Sequence, residues 1–463
     1  MKTILYIVLS TFILITFSSC EKQNEWLDAK RQKEMVIPET LKDFQAILDY
    51  FYSIHTAFPI FGQLGTDDFI LTDADYSRST EDIRNGYIWN KTIWSSDNTS
   101  CWDAPFAVIL KSNVVLDGLK KVSKSPGDEA LYNDVQGQAY FYRALFYYHL
   151  AQLFCKAYTS NSDSDPGLPI RLTSDVNVIA QRSSLTATYA QIISDAENAV
   201  TLLPQISDNN RRPSKAASLG LLAKIYLSMG NYDKAAFYAD ESLKINEKLL
   251  DYNSSYANLS RTYRFPANPY DHPEINFYGR GSGYAVVMPS SNTLGVINDE
   301  LFNLYTDHDL RRSLFYFTNT LGLHKYRGSY TGTNSNFCGI ATNEIYLIRA
   351  ESYARMKKTD LALQDLNTLL TYRYETDYFT PLTISDPTDL LKTILIERRK
   401  ELVGVSNIRW EDLKRLNTET AFEKTLTRTV NGQTYRLDPN SPRYVLPIPN
   451  NEIQLSHITQ NER

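Results

Sequence analysis

Long hydrophobic runs are nearly absent from this 463-residue chain. The one apolar stretch, Ile4 through Phe17, is shorter than the roughly 20 residues that span a bilayer. Cysteine is scarce: there are four, at positions 20, 101, 155 and 338, with no CxxC and no Cys/His spacing. That excludes a disulfide framework and a zinc site, and Cys101, Cys155 and Cys338 read as small buried hydrophobes. The six histidines are dispersed, so Thr306-Asp-His308-Asp-Leu-Arg311 has no further ligands with which to hold a metal. Asp73-Ala-Asp75-Tyr-Ser77 begins like a calcium loop, but Arg78 and Arg84 stand where the glycine and the bidentate glutamate belong. No metal or cofactor is expected, although a calcium ion held elsewhere stays open. An excess of positive charge is missing too; the net charge of −5 gives no footing for nucleic acid. There is no GxSxG, HExxH or Cys/His arrangement, and no carboxylate pair stands out as a glycosidase couple. An enzyme is therefore not expected.

What is present begins at the N-terminus. Lys2, the apolar stretch and the small residues Ser18-Ser19 before Cys20 have the layout of an export signal. Together they resemble a bacterial lipoprotein signal over residues 1–19, with Cys20 lipidated; an ordinary secretory signal with an incidental cysteine is the alternative. Residues 20–40 are polar and read as a tether, leaving 41–463 as one domain. A hydrophobic fraction of 43% against 22% charged is ordinarily globular.

Beyond the tether the pattern is helical and repetitive. In Leu219-Gly-Leu-Leu-Ala-Lys-Ile-Tyr226-Leu-Ser-Met-Gly230-Asn-Tyr232-Asp-Lys-Ala235 the spacing is that of a tetratricopeptide unit. Small Ala223 lets two helices approach, Tyr226 packs between them and Gly230-Asn231 makes the turn. Tyr346 to Tyr353 with Ala362 is a second copy in which Lys357 replaces the turn glycine, and Ala144 and Tyr147 mark a degenerate third. Tyr189 through Pro204 is a further helix ended by proline. The fold class expected is mainly α: a tetratricopeptide-like helical-repeat scaffold with repeat helices over about 103–250 and 343–415. Residues 251–342 form a large irregular insertion of loops and short strands, the kind of segment that carries function on a rigid frame.

Several segments together resemble the SusD/RagB family of nutrient-uptake outer-membrane lipoproteins. They are Gly137-Gln-Ala-Tyr-Phe-Tyr-Arg143 with Asp165-Pro-Gly-Leu-Pro169, Ala216 through Tyr226 with Gly230, and Glu344 through Tyr353. Ile394-Leu-Ile-Glu397-Arg398-Arg-Lys-Glu401 with Arg409-Trp410-Glu-Asp412, and the tail Tyr444-Val-Leu-Pro447-Ile-Pro449 with Gln460-Asn461, complete the set. The family pattern has Glu-Gly where Ser406-Asn407 stand here. The resemblance implies four tetratricopeptide-like helix pairs against an irregular ligand-binding part. It also implies a lipid-anchored protein on the outer face of the outer membrane, acting as a lid over a SusC-like TonB-dependent barrel transporter and capturing an oligosaccharide or polysaccharide. Membrane contact would be through the N-terminal lipid alone. The competing reading is an exported tetratricopeptide adaptor that binds a protein or peptide.

Candidate ligand contacts come from residue chemistry. Three of the five tryptophans lie between Trp89 and Trp102, interleaved with Asn98 and Asp97. A pyranose stacks its C–H face on an aromatic ring while its hydroxyls need polar partners, so Trp89, Trp94 and Asn98 are candidates, with at least one tryptophan expected at the surface. Trp102 reads instead as the opening of a helix. In the insertion, Tyr278-Gly-Arg280-Gly-Ser-Gly-Tyr284 and Tyr326-Arg-Gly-Ser-Tyr330 set aromatics beside glycines that permit close approach. The charged run Glu397–Glu401 either pairs toward solvent or ties repeats together, and Arg349 and Glu351 are expected to pair within the frame.

Overall fold

The computed structural model describes residues 38–123, 125–281 and 294–463. The signal segment, Cys20, most of the tether and Tyr284 lie outside the described residues. The longer helices are α1 (Leu41–Leu48), α2 (Ser100–Leu119), α3 (Glu129–Phe154), α4 (Leu185–Leu202), α5 (Lys215–Ser228), α6 (Tyr232–Ile245), α7 (Thr342–Arg355), α8 (Thr359–Thr371), α9 (Pro387–Glu401) and α10 (Ile408–Leu416). From α2 to α8 each helix packs on the next, and α9 lies on α7. The result is a superhelix of helical hairpins. The α6–α7 contact is made directly although the insertion separates them in sequence, so the frame is continuous in space.

The α5–α6 hairpin forms for the reasons its residues supply. Gly230 takes φ +71°, the left-handed turn that favours glycine after a helix, and the Asn231 side chain caps α6 by accepting from the Lys234 N–H. Ala223, Ala235 and Ala239 are buried where the helices meet, and the Tyr226 and Tyr238 rings stack within 1° of parallel, 5.4 Å apart. In the α7–α8 hairpin Lys357 adopts φ +59°, the same turn without the glycine. Helix α4 stops at Leu202, before Pro204.

The insertion is held by short antiparallel pairs. Ile275–Phe277 pairs with Ile340–Ala341, Tyr316–Thr318 with His324–Tyr326, and Val296–Ile297 reaches back to Phe69–Ile70. It has its own core, built on Tyr252, Phe265, Tyr305, Phe315, Tyr316, Tyr326, Tyr330 and Phe337. Tyr252, Tyr305, Tyr316 and Tyr330 can be buried because their hydroxyls are bonded. Tyr252 and Tyr330 share a 2.7 Å bond, Tyr330 donates to Glu274 at 2.6 Å, and Tyr305 donates to the Lys400 carbonyl at 2.8 Å.

Beneath that core the charged run of α9 is turned inward. Glu397, Arg398, Lys400 and Glu401 are buried, so of the two readings of this run the structure realises the one that ties elements together. Arg311 bonds Asp309 at 2.7 Å, Glu397 at 2.7 Å and Glu401 at 3.2 Å. Arg373 bonds Glu274 at 2.7 Å and Glu401 at 2.9 Å. Arg349 and Glu351 both pair inside the frame but not with each other. Arg349 takes Asp365 and Asp240, while Glu351 takes Arg355 and Arg415, because residues two apart on a helix point to different faces. In the Thr306–Arg311 stretch Asp309 is consumed by Arg311 and Lys400, Asp307 pairs with Arg312, and His308 bonds Glu375.

Two outcomes follow from these geometries. Glu401→Ala strands Arg311 and Arg373 without their shared carboxylate and lowers stability by about 3–5 kcal/mol, read as a fall in the urea midpoint at unchanged slope. Lys357→Gly removes the side chain from a left-handed turn and raises stability by about 1 kcal/mol, read as an upward shift in Tm.

Candidate functional site

The tryptophan cluster is structural. Trp89 is 2% exposed, its Nε1 donates to the Gly65 carbonyl at 3.0 Å, and the Arg428 guanidinium lies over its ring at 4.6 Å. The expectation that Trp89 offers a sugar platform is therefore corrected: its ring is core. Trp94 is half-buried, with Nε1 donating to the Pro447 carbonyl at 2.7 Å and its ring against Phe61 at 4.8 Å, so it clamps the C-terminal segment. Asn98 is exposed. Trp102 stands at the start of α2, packed on Phe106 and Phe154.

In the insertion, Tyr326 and Tyr330 are 3% and 6% exposed and belong to the core just described, which corrects their reading as ligand contacts. The glycines beside Arg280 serve packing rather than ligand approach. A Cβ on Gly279 would meet the Phe58 ring at 2.5 Å, and one on Gly281 would meet Ile60 at 2.3 Å. Tyr278 is buried and Arg280 half-buried, at the rim of the insertion.

That rim carries the candidate face. The Tyr278 N–H donates to the Asn210 carbonyl at 2.7 Å and the Arg280 N–H to the His55 carbonyl at 2.9 Å. Asn210 Nδ2 donates to the Pro269 carbonyl at 2.9 Å. Three distant segments are thereby stitched into one surface: the short helix Phe51–His55, the turn at Asn210-Arg211, and residues 269–281. On it the Arg211 guanidinium lies 3.8 Å above the Tyr270 ring and 5.4 Å from Phe51. Tyr270 meets Tyr278 edge-on at 6.1 Å, and Tyr52, 73% exposed, sits on the same short helix. Burial drives His55 down to about 3 against a hydrogen bond to the Arg211 backbone that raises it, and the charges of Arg211 and Arg280 add to the lowering. It is neutral near pH 7, so the positive charge of the face comes from the arginines, with the exposed carboxylate of Asp271 on the same segment.

Of the expected contacts, only Tyr278 and Arg280 come together here. Phe51, Arg211 and Tyr270, which join them on this candidate face, carry no sequence signal that groups them. The run Tyr50-Phe51-Tyr52 was visible as consecutive aromatics, but nothing local tells which of them leaves the core. Two surface clefts carry no such pairing. One of ≈ 540 Å³ includes Lys156, Asp165, Tyr444 and Asn461; Lys156 pairs with Asp165, and Asn461 ties the C-terminal tail down by donating to the Phe154 carbonyl. Another of ≈ 590 Å³ lies between α2 and residues 169–180 and is lined largely by apolar side chains. Among the described residues no His/Cys/Asp/Glu group is arranged to hold a metal, and no helix is long and apolar enough to cross a membrane.

A helical-repeat frame with an irregular insertion and an aromatic face at its rim defines a binding protein. A family model described as starch-binding and associating with the outer membrane matches residues 25–227, and the SusD family model matches residues 305–462. The chain belongs to the SusD/RagB family, a family of outer-membrane-associated binding proteins rather than enzymes. It is 24% identical over 437 residues to the SusD-like protein P2 of Formosa agariphila, covering 82% of this chain and 84% of that one. Among solved structures, a SusD superfamily protein of Bacteroides thetaiotaomicron superposes with TM-score 0.74 at 24% identity, over 92% of this chain and 100% of that one. A putative sugar-binding protein of Bacteroides vulgatus gives 0.74 at 22%, over 92% and 99%. A SusD-like carbohydrate-binding protein of the same species gives 0.66 at 20%, over 90% and 97%.

Because Trp89 is core, Trp89→Ala costs about 3–5 kcal/mol of stability. Chemical denaturation measures the loss.

Proposed function

We propose that this protein captures an oligosaccharide or polysaccharide at the outer face of the outer membrane and delivers it to a SusC-like TonB-dependent barrel transporter. In this reading residues 41–463 act as a single binding domain. Cys20 carries the lipid, and residues 20–40 hold the domain off the bilayer. The observation that carries the reading is the half-buried Tyr270 ring at the rim, stacked on Arg211 and supported edge-on by the buried Tyr278. Flat rings with polar tips suit a sugar, whose C–H face stacks while its hydroxyls find donors. Such a platform on a stiff support loses little freedom on binding, which matters for a shallow site. The description of the matching family model and the names of the two Bacteroides vulgatus structures support a carbohydrate as ligand.

A panel of polysaccharides read by affinity gels and calorimetry is expected to include at least one that binds, with Tyr270→Ala weakening it tenfold or more at unchanged Tm. Protease shaving of intact cells is expected to remove the protein. Binding of peptides with no polysaccharide bound, or complete protection from shaving, would overturn the reading.

A further inference from the structure

We infer that the rim selects a sugar chain bearing an anionic substituent, a carboxylate or a sulfate ester, through Arg211 and Arg280. The inference rests on the proposed glycan-binding function and narrows it to a substrate class. Its first support is what these two side chains lack. In this protein arginines are heavily committed: Arg143, Arg311, Arg349, Arg355, Arg373, Arg398, Arg399, Arg409 and Arg415 each bond carboxylates. Arg428 fills its fork with backbone carbonyls. The guanidinium groups of Arg211 and Arg280 make no hydrogen bond or ion pair with any described residue, although both are half-buried. The nearby acids have other partners, an arginine for Asp49 and a neutral hydroxyl for the exposed Asp271. Asp49 takes a two-pronged bond from Arg212, at 2.6 and 2.9 Å, and Asp271 accepts from the Tyr256 hydroxyl at 2.9 Å.

The second support is orientation. Stacking at 3.8 Å on Tyr270 fixes the Arg211 plane without using its N–H groups. A planar fork held in place by an aromatic ring is preorganised for a planar or tetrahedral oxyanion. Arg280 is positioned from behind by its own N–H bond to His55. Burial raises the Tyr278 hydroxyl and lowers the His55 imidazole, and the charges of both arginines pull on each of these two groups, so the cations share their neighbours. The third support is contrast. The chain as a whole carries −5 and repels polyanions, so attraction must come from a local site rather than from general basicity.

The test uses the purified protein in affinity gels at about 0.15 M salt, where exposed long-range charge effects are largely screened. Gels contain polygalacturonate, dextran sulfate, dextran or amylopectin. Retardation is expected in one of the two anionic gels, polygalacturonate indicating a carboxylate and dextran sulfate a sulfate ester. Arg211→Gln and Arg280→Gln should each weaken it at least tenfold with Tm unchanged. Arg443→Gln, which removes a cation on the C-terminal segment, should leave it unaltered. Retardation by dextran or amylopectin that neither variant changes would overturn the anionic specificity while leaving glycan binding standing. An equal loss in Arg443→Gln would overturn it in favour of bulk charge. Retardation in none of the four gels would overturn it as well, and if the wider polysaccharide panel also failed, the proposed function would fall with it.

Discussion

Glu401 is where the repeat frame and the insertion are joined. One oxygen receives Arg373, from the end of α8, and the side-chain amide of Asn343 on α7. The other receives Arg311, from the insertion. Arg373 continues to Glu274, which accepts in turn from the Leu250 N–H and the Tyr330 hydroxyl. All of this is out of water, and desolvating so many charges offsets much of their attraction. Such a network adds little net stability, but it strongly penalises any arrangement in which one partner is missing. It thereby selects one docking of the insertion on the frame, a matter that apolar contact between two tyrosine-rich surfaces would leave loosely defined.

A second clamp of the same kind closes the chain on itself. Asp67 receives Arg409, Arg399 and Lys424. Burial opposes its ionisation, yet Arg409 and Arg399 hold its carboxyl well below the usual range. Around it Arg428 reaches the carbonyls of Leu64, Thr66 and Tyr87, and Trp94 holds Pro447. The segment after α1 is thus fixed by residues more than three hundred positions away. That segment includes His55 and Phe58, which support Arg280 and Gly279. The rim's geometry is inherited from both clamps.

What was legible in the sequence divides along the same line. The repeat hairpins could be read because their determinants are local: Ala223, Tyr226, Gly230 and Asn231 act within about a dozen residues of one another, as did the proline ending α4. The insertion was legible as a break in period. Its contents were not, because residue type says a tyrosine or tryptophan prefers a half-wet place without saying which hydroxyl or indole N–H will find a buried acceptor. Trp89 went inside because Gly65 supplies a carbonyl, and Tyr330 because Glu274 and Tyr252 bond its hydroxyl. The charged run of α9 read equally well as solvated or buried, and the difference lay in Asp309, Arg311 and Arg373, all distant in sequence. Composition nominates Tyr278 and Arg280 as candidates, whereas it takes the backbone bonds between their segments to bring Arg211 and Tyr270 beside them.

The rim also has a distinctive position in the family comparison. Tyr270, Tyr278 and Arg280 fall between the two matched regions, in a stretch that neither family model covers, while Arg211 and Phe51 lie inside the first. One half of the face therefore rides on the shared frame and the other half on chain outside the shared pattern. The buried charge networks make that division workable. They hold the insertion from beneath through Glu274, Asp309 and Arg311, while at the rim the backbone N–H groups of Tyr278 and Arg280, rather than the arginine side chains, tie it to the frame. Side chains that carry no structural duty can be exchanged at small cost to stability. Arg211 and Arg280, which pair with no carboxylate among the described residues, are the cations of that rim whose exchange would disturb the frame's charge networks least.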